Sequence, residues 1–419
     1  MLKLLNPSSL SSSKSIITRN IRRRGLPPDF PPPRPKEAEF LKDATTYSDV
    51  HSAMLDPHSS LPYPAEQLQD YLHDTEKEQH RSIKTHDSKK GRRIFKLNFD
   101  HIPIEDQVVA LFPGQGAQHL KMGEKVIDCP ASKALFDQAN EILGYDLLKI
   151  CMEGPKTKLD QTIYCQPAVF VASLAAYEKL KTEQLDLEDR LTDAAGFSVG
   201  EYAALVAGGV MKFEDALKVV KIRAEAMHEC NQIVSAGMLT IRVNASSKLE
   251  EAFKAACEDA MESNDVPVCE VANYLFQGVK VIGGTNRCLT YLESNAQRFN
   301  IQPLKRLAVS GAFHTRLMSN AMHPVQHAFT GMQFEQSSCN IYSNFTGKIH
   351  SRKANEIRKA LIHQVAEPVK WEQIQQLLFR KHQDFKFPNY IEIGPGRQLG
   401  SMLVNISKKA YNSYTSFPC

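Results

Sequence analysis

At 419 residues, with 42% hydrophobic and 23% charged residues, the chain has the length of two or three domains, or of one large domain with a tail, and the composition of an ordinary soluble globular protein. No uninterrupted apolar run reaches the length of a membrane-spanning helix, which argues against a transmembrane protein. The formal charge of +4 rests on Lys3, Lys14, Arg19, Arg22, Arg23 and Arg24; without those six the balance is −2, which excludes the broad basic surface of a nucleic-acid binder.

Residues 1–25 are basic, serine-rich and free of acidic residues, the composition of a mitochondrial transit peptide. Residues 26–104 are proline-rich and then charged, with few large apolar side chains, and read as a flexible linker with one short helix near 37–44. Nine cysteines are scattered without a C-x-x-C pair, so neither a zinc site nor a disulfide framework is expected. Reduced thiols suit a matrix enzyme.

The globular part starts at residue 105. Residues 107–112 have the pattern of a short buried strand, which runs into the turn Pro113-Gly114-Gln115-Gly116. Open α/β sheets bind ligands at the carboxyl ends of such strands. A helix is expected to begin around Gln166-Pro167, with proline in its first turn and an apolar run over 168–176.

Residues 191–206 hold the stretch on which the reading turns. A short run (191–195) leads into Gly196-Phe197-Ser198-Val199-Gly200, and an Ala/Leu-rich helical run follows. Strand, Gly-x-Ser-x-Gly and helix together match a nucleophile elbow, with Ser198 at a helix N-terminus where developing negative charge is favoured. Next, Phe213, Ala216, Val220 and Met227 form one helical stripe, and Arg223 falls on it. A guanidinium on an apolar face must snorkel outward or meet an anion.

Residues 237–306 change character. Strands are expected near 238–243 and 279–282 and helices near 249–261 and 288–299, a pattern consistent with a small ferredoxin-like insert. Leu307-Ala308-Val309 then reads as a strand leading into Ser310-Gly311-Ala312-Phe313-His314 and a helix over 317–322, which puts a candidate base, His314, in a turn. A strand over 340–344, a helix over 354–365 and the strand and turn of 390–396 complete the chain. The sequon Asn344-Phe345-Thr346 is expected to go unused in a matrix protein.

PGQG, QPA, GFSVGE, IRAEAM, SGAFH and EIGPGRQLG follow one another in the order found in malonyl-CoA:acyl carrier protein transacylases, and residues 107–415 closely resemble the mitochondrial form from animals. The resemblance implies an α/β-hydrolase-like catalytic subdomain (105–236 and 307–419) with a ferredoxin-like insert (237–306) and the active site between them. It implies Ser198 as nucleophile, His314 as its base, and the main-chain carbonyl of Gln364 as the group that orients the histidine. The backbone N–H groups of Gln115 and Val199 would form the oxyanion hole, and Arg223 would hold the malonyl carboxylate with Gln166 beside the nucleophile. Phe313 resembles the malonyl-accepting form of its motif. Asn273 and Arg397 are candidates for pantetheine contacts, and Lys305 and Arg306 for a basic surface facing an acidic carrier. Many relatives have histidine where this chain has Phe197, for which only packing is expected.

The resemblance further implies a monomer in the mitochondrial matrix, with malonyl-CoA and acyl carrier protein as partners. It implies no metal, no cofactor and a covalent ping-pong route through serine. A serine thioesterase or esterase on the same elbow is the alternative; it would recruit an acidic triad partner and would need no arginine in its acyl pocket.

Overall fold

The computed structural model describes residues 97–309, 311–379 and 386–419. The expected transit peptide, most of the linker with its short helix, and Ser310 lie outside the described residues. The linker expected over 26–104 does not extend through its last residues: the Leu97 N–H donates to Asn340 Oδ1 at 3.1 Å, and Ile104 is buried.

The elements that build the site begin with β1 (Val108–Phe112), α1 (Thr162–Glu183), β2 (Leu191–Gly196), α2 (Gly200–Ala207) and α3 (Phe213–Ile233). The insert follows as β3 (Ala236–Arg242), α4 (Leu249–Glu262), β4 (Cys269–Phe276), β5 (Val279–Thr285), α5 (Asn286–Asn295) and β6 (Gln302–Arg306). The chain then returns as β7 (Asn340–Tyr342), α6 (Ala354–Gln364), β8 (Val369–Lys370), α7 (Trp371–Phe379), β9 (Asn389–Ile393), α8 (Gln398–Ile406) and β10 (Tyr414–Phe417).

The large sheet is parallel throughout, in the order β10-β9-β1-β2-β7. Its middle strand explains the continuous apolar run in the sequence. Val108, Ala110 and Phe112 enter one core with Phe170, Val171 and Leu205, while Val109 and Leu111 enter another with Trp371, Tyr390 and Leu403. Alternate side chains point to opposite faces, and a parallel sheet buries both. Each fully buried Val or Phe contributes about 1.5–3 kcal/mol, so the centre of this sheet is a main source of stability.

In the insert, β3, β5, β4 and β6 alternate with α4 and α5 as β-α-β-β-α-β, and the strand order β6-β3-β5-β4 is antiparallel. This is the ferredoxin-like arrangement. Four strands, β4, β6, β8 and β10, went unrecognised in the sequence. β4 mixes Glu, Asn and Cys into its apolar residues and carries register shifts that blur its alternation. β8 is two residues long and joins the small sheet from outside the insert, parallel to β4.

Three local expectations are corrected. α1 starts at Thr162, so Pro167 lies inside it and the Ile163 carbonyl loses its helical donor. Residues 307–309 are not a strand; β6 ends at Arg306, and only the Leu307 N–H continues its pairing, to Met238 O at 2.9 Å. The helix expected over 317–322 is a 3-10 turn, Arg316–Met318, followed by a helix over Ser319–Ala328. Among the described residues no helix is long and apolar enough to cross a membrane, and no cluster of His, Cys, Asp or Glu could hold a metal ion.

Candidate active site

β1, β2 and β7 deliver their carboxyl ends to one place. The chain leaves β2 at Gly196 and turns at Ser198, whose φ of 54° lies in the left-handed region that side chains seldom occupy. Neighbouring backbone holds it there. The Phe197 N–H donates to Phe112 O at 2.9 Å, and the Ser198 N–H donates to Asn344 Oδ1 at 2.6 Å. The Asn344 amide closes the loop by donating to Gly196 O at 2.7 Å. A Cβ on Gly114 would collide with the Phe197 carbonyl, and one on Gly200 with the Phe112 carbonyl. These two glycines let the turn after β1 lie directly against the elbow, which sets Gln115 beside Ser198.

His314 approaches from the other side, also at positive φ (60°). Its Nε2 is 2.8 Å from Ser198 Oγ, and its Nδ1 is 2.7 Å from the main-chain oxygen of Gln364, at the end of α6. A carbonyl oxygen can only accept, so Nδ1 carries the ring proton and the Nε2 lone pair faces the serine hydroxyl. Burial, and then the charge of Arg223, lower the His314 pKa from 6.5 to about 3, against the opposing Gln364 carbonyl. The imidazole is therefore neutral at physiological pH and ready to take a proton.

Arg223 does not snorkel. It is fully buried, with Nη1 donating to Gln166 Oε1 at 2.5 Å, and Nη2 to Gln364 Oε1 at 2.9 Å and to Ser198 Oγ at 3.1 Å. Among the described residues Nε has no hydrogen-bond partner and no carboxylate lies within salt-bridge distance. Burial disfavours its charge and lowers its pKa, with Tyr202 and Glu201 opposing. A guanidinium held only by neutral groups beside a hydroxyl is suited to an incoming anion.

Ser198 and His314 open onto a cleft of about 440 Å³ between the large sheet and the insert, and Arg223 lies buried behind its wall, against Gln166 and Ser198. Gln115, Gln166, Phe197, Ser198, Asn273, Phe313 and His314 line it; Val199 is buried at the start of α2, among the N–H groups that a helix leaves without internal partners. Asn273 Oδ1 is buried with no hydrogen-bond partner among the described residues. Phe197 packs edge-on against Trp371 at 5.5 Å. Lys305 faces the cleft, whereas Arg306 turns away and pairs with Glu293 at 2.9 Å. Arg397 is exposed and does not line the cleft; its neighbour Gln398 does, donating to Gly116 O at 3.2 Å.

Sequence reasoning missed three residues of this site. Asn344, read only as a sequon, is fully buried and spends its amide on the elbow. Glu201 is a lone acid in the apolar segment GEYAALVA, a mismatch that could have marked it. His350, whose Nε2 is 2.7 Å from Glu201 Oε1, carried no pattern.

An elbow serine, a histidine oriented by a carbonyl and a parallel sheet carrying a ferredoxin-like insert define a serine–histidine acyl-transferring enzyme, and the family model of the acyl transferase domain matches residues 109–404. The chain is 42% identical over 313 residues to the mitochondrial malonyl-CoA-acyl carrier protein transacylase of Homo sapiens, covering 74% of this chain and 79% of that one. It is 40% identical to the probable mitochondrial malonyl-CoA-acyl carrier protein transacylase of Drosophila melanogaster, over 74% and 82% of the two chains. Among solved structures, the malonyl CoA-acyl carrier protein transacylase of Coxiella burnetii superposes with a TM-score of 0.66 at 27% identity, over 75% of this chain and 94% of that one. The chain belongs to the acyl transferase family and, within it, to the malonyl-CoA-acyl carrier protein transacylases.

Proposed function

We propose that the protein moves a malonyl group from malonyl-CoA to the phosphopantetheine thiol of acyl carrier protein through a malonyl-serine ester, and that it does so as a monomer in the mitochondrial matrix. The observation that carries this reading is the fully buried Arg223, whose Nη2 lies 3.1 Å from the nucleophilic oxygen. A carboxylate two bonds beyond the reacting carbonyl reaches such a guanidinium, and an acetyl group offers it nothing. The basic, acid-free composition of residues 1–25 and the mitochondrial naming of the relatives support the location.

Ser198 Oγ attacks the thioester carbonyl while its proton passes to His314 Nε2. The N–H groups of Gln115 and Val199 stabilise the tetrahedral oxyanion; losing one such donor costs on the order of 10²–10³ in turnover. The C–S bond then breaks, and the CoA thiolate leaves with the proton from His314. The carrier thiol gives its proton to His314 and attacks the malonyl-serine carbonyl, and Ser198 recovers its hydrogen as the ester breaks. The unpaired Asn273 oxygen on the cleft wall suits an amide N–H of the pantetheine arm. The thioesterase alternative loses its support here, because the His314 Nδ1 partner is a carbonyl and not a carboxylate.

Intact-mass measurement after exposure to malonyl-CoA tests the reading. One malonyl adduct is expected on the wild type, located at Ser198, and it should move to holo-acyl carrier protein when that is added. Ser198→Ala should carry no adduct and turn over at least about 10³-fold more slowly. An adduct surviving in Ser198→Ala, or release of free malonate in place of carrier loading, would overturn it.

A further inference from the structure

Behind the nucleophile lies a carboxylate with no part in the steps above. Glu201, three residues after Ser198 on α2, is fully buried. Its Oε1 is 2.7 Å from His350 Nε2, and its Oε2 accepts from the Asn344 N–H at 3.0 Å and from Gln364 Nε2 at 2.8 Å. The same Gln364 amide nitrogen donates to Ser198 O at 2.8 Å, and its Oε1 accepts from Arg223 Nη2 at 2.9 Å. One glutamine side chain therefore spans the gap between a buried anion and a buried cation. Its main-chain carbonyl separately holds His314.

We propose that Glu201 is a positioning residue for malonyl selection, acting on Arg223 through the side-chain amide of Gln364. The two ends of a primary amide have nearly the same shape, so hydrogen bonding alone decides which way Gln364 points. A carboxylate can only accept, as can the Ser198 carbonyl, and together they turn the Gln364 NH₂ toward Glu201 and its oxygen toward Arg223. In the reverse orientation the amide oxygen would face both the carboxylate and the Ser198 carbonyl and the NH₂ would face a guanidinium, three buried mismatches at once. Glu201, as the charged acceptor of the Gln364 NH₂, thus favours the orientation that gives Arg223 an acceptor and holds Nη2 toward Ser198 Oγ, the place where the cargo's acid end must be met. His350 and the Asn344 N–H keep the carboxylate itself in place, and Asn344 also bonds the Ser198 N–H, so elbow and arginine are set by one network.

The proposal rests on the malonyl-transfer reading, and the test separates the two. The purified full chain is assayed for Ser198 acylation by malonyl-CoA and by acetyl-CoA, and the ratio of the two kcat/KM values is the readout. A wild type that forms no malonyl-serine sinks the functional reading itself. Given a working wild type, Glu201→Met should lower the malonyl-to-acetyl ratio about ten- to a hundredfold, the scale of one hydrogen bond to a charged group, while Ser198 still acylates. Glu201→Gln keeps an acceptor oxygen toward Gln364 and should restore the ratio to within about threefold of wild type. Gln364→Met, which keeps the main-chain carbonyl on His314, should reproduce the loss and remains informative if Glu201→Met does not fold. The double variant Glu201→Met with Gln364→Met should be no worse than Gln364→Met alone, because the effect passes through one side chain. Equal losses for both acyl groups, additive losses in the double variant, an unchanged ratio in Gln364→Met, or a Glu201→Gln as poor as Glu201→Met would each overturn the relay.

Discussion

Behind Ser198, Glu201 and Arg223 are both fully buried and joined through Gln364, with each Glu201 oxygen bonded. Where the insert meets α7, Lys280 and Glu372 are buried almost as deeply, with Lys280 over the Tyr274 ring at 4.3 Å, yet neither Glu372 oxygen has a hydrogen-bond partner among the described residues. Burial raises the Glu372 pKa to about 7, with Lys280 opposing, and it pushes Lys280 down. The two regions bury similar charges with opposite results. Where aimed hydrogen bonds meet the buried charge, its position is fixed and available for chemistry; where the carboxylate oxygens have none among the described residues, the carboxyl is left near the edge of ionisation.

The sharpest way to break this contrast is at Arg223. Arg223→Ala should cut kcat/KM for malonyl-CoA about 10²-fold or more and leave acetyl-CoA much less affected. Equal losses in steady-state assays with both thioesters would remove its selective role. Arg223→Lys should recover little, since one ammonium cannot serve Gln166, Gln364 and an incoming carboxylate in the same plane.

A smaller effect lies in stability against pH. Folded His314 refuses a proton down to about pH 3, while the unfolded chain takes it near 6.5. Between those values the unfolded state binds more protons, so this contribution to stability is lost as pH falls below 6.5, by about 2 kcal/mol at pH 5. The difference between wild-type and His314→Gln urea melts at pH 7.5 and pH 5 isolates it. Glu372 titrates in the same window with the opposite sign, raised from 4.5 so that stability is lost as pH rises toward 7, but it is common to both proteins and cancels. A parallel pair of curves would contradict the neutral, shielded imidazole.

The smallest change is expected at the insert junction. Replacing the pair together, Lys280→Met with Glu372→Leu, should leave stability within about 1 kcal/mol of wild type. Lys280→Met alone should destabilise, and more at pH 8 than at pH 6, because protonation rescues the stranded carboxyl at the lower pH. Thermal melts at the two pH values decide it. A double variant as unstable as the single would mean that the junction depends on this pair for more than its charge balance.

Local features of this protein are legible in its amino-acid order alone. Period and turn chemistry placed β1, β2 and the elbow, because a strand, a Gly-x-Ser-x-Gly turn and a helix are contiguous and each leaves its own pattern. The motif series further singled out Ser198, His314 and Arg223, and the structure brings His314 and Arg223 each within hydrogen-bonding distance of Ser198 Oγ. Tertiary structure decided what lies across the chain. Gln364 offers one atom to His314, another to Arg223 and a third to Glu201. Asn344 pins an elbow 146 residues away, and β8 completes a sheet to which it is not contiguous. None of these leaves a periodicity, because a buried hydrogen bond between distant residues is specified by the geometry of two backbones and not by the spacing of either.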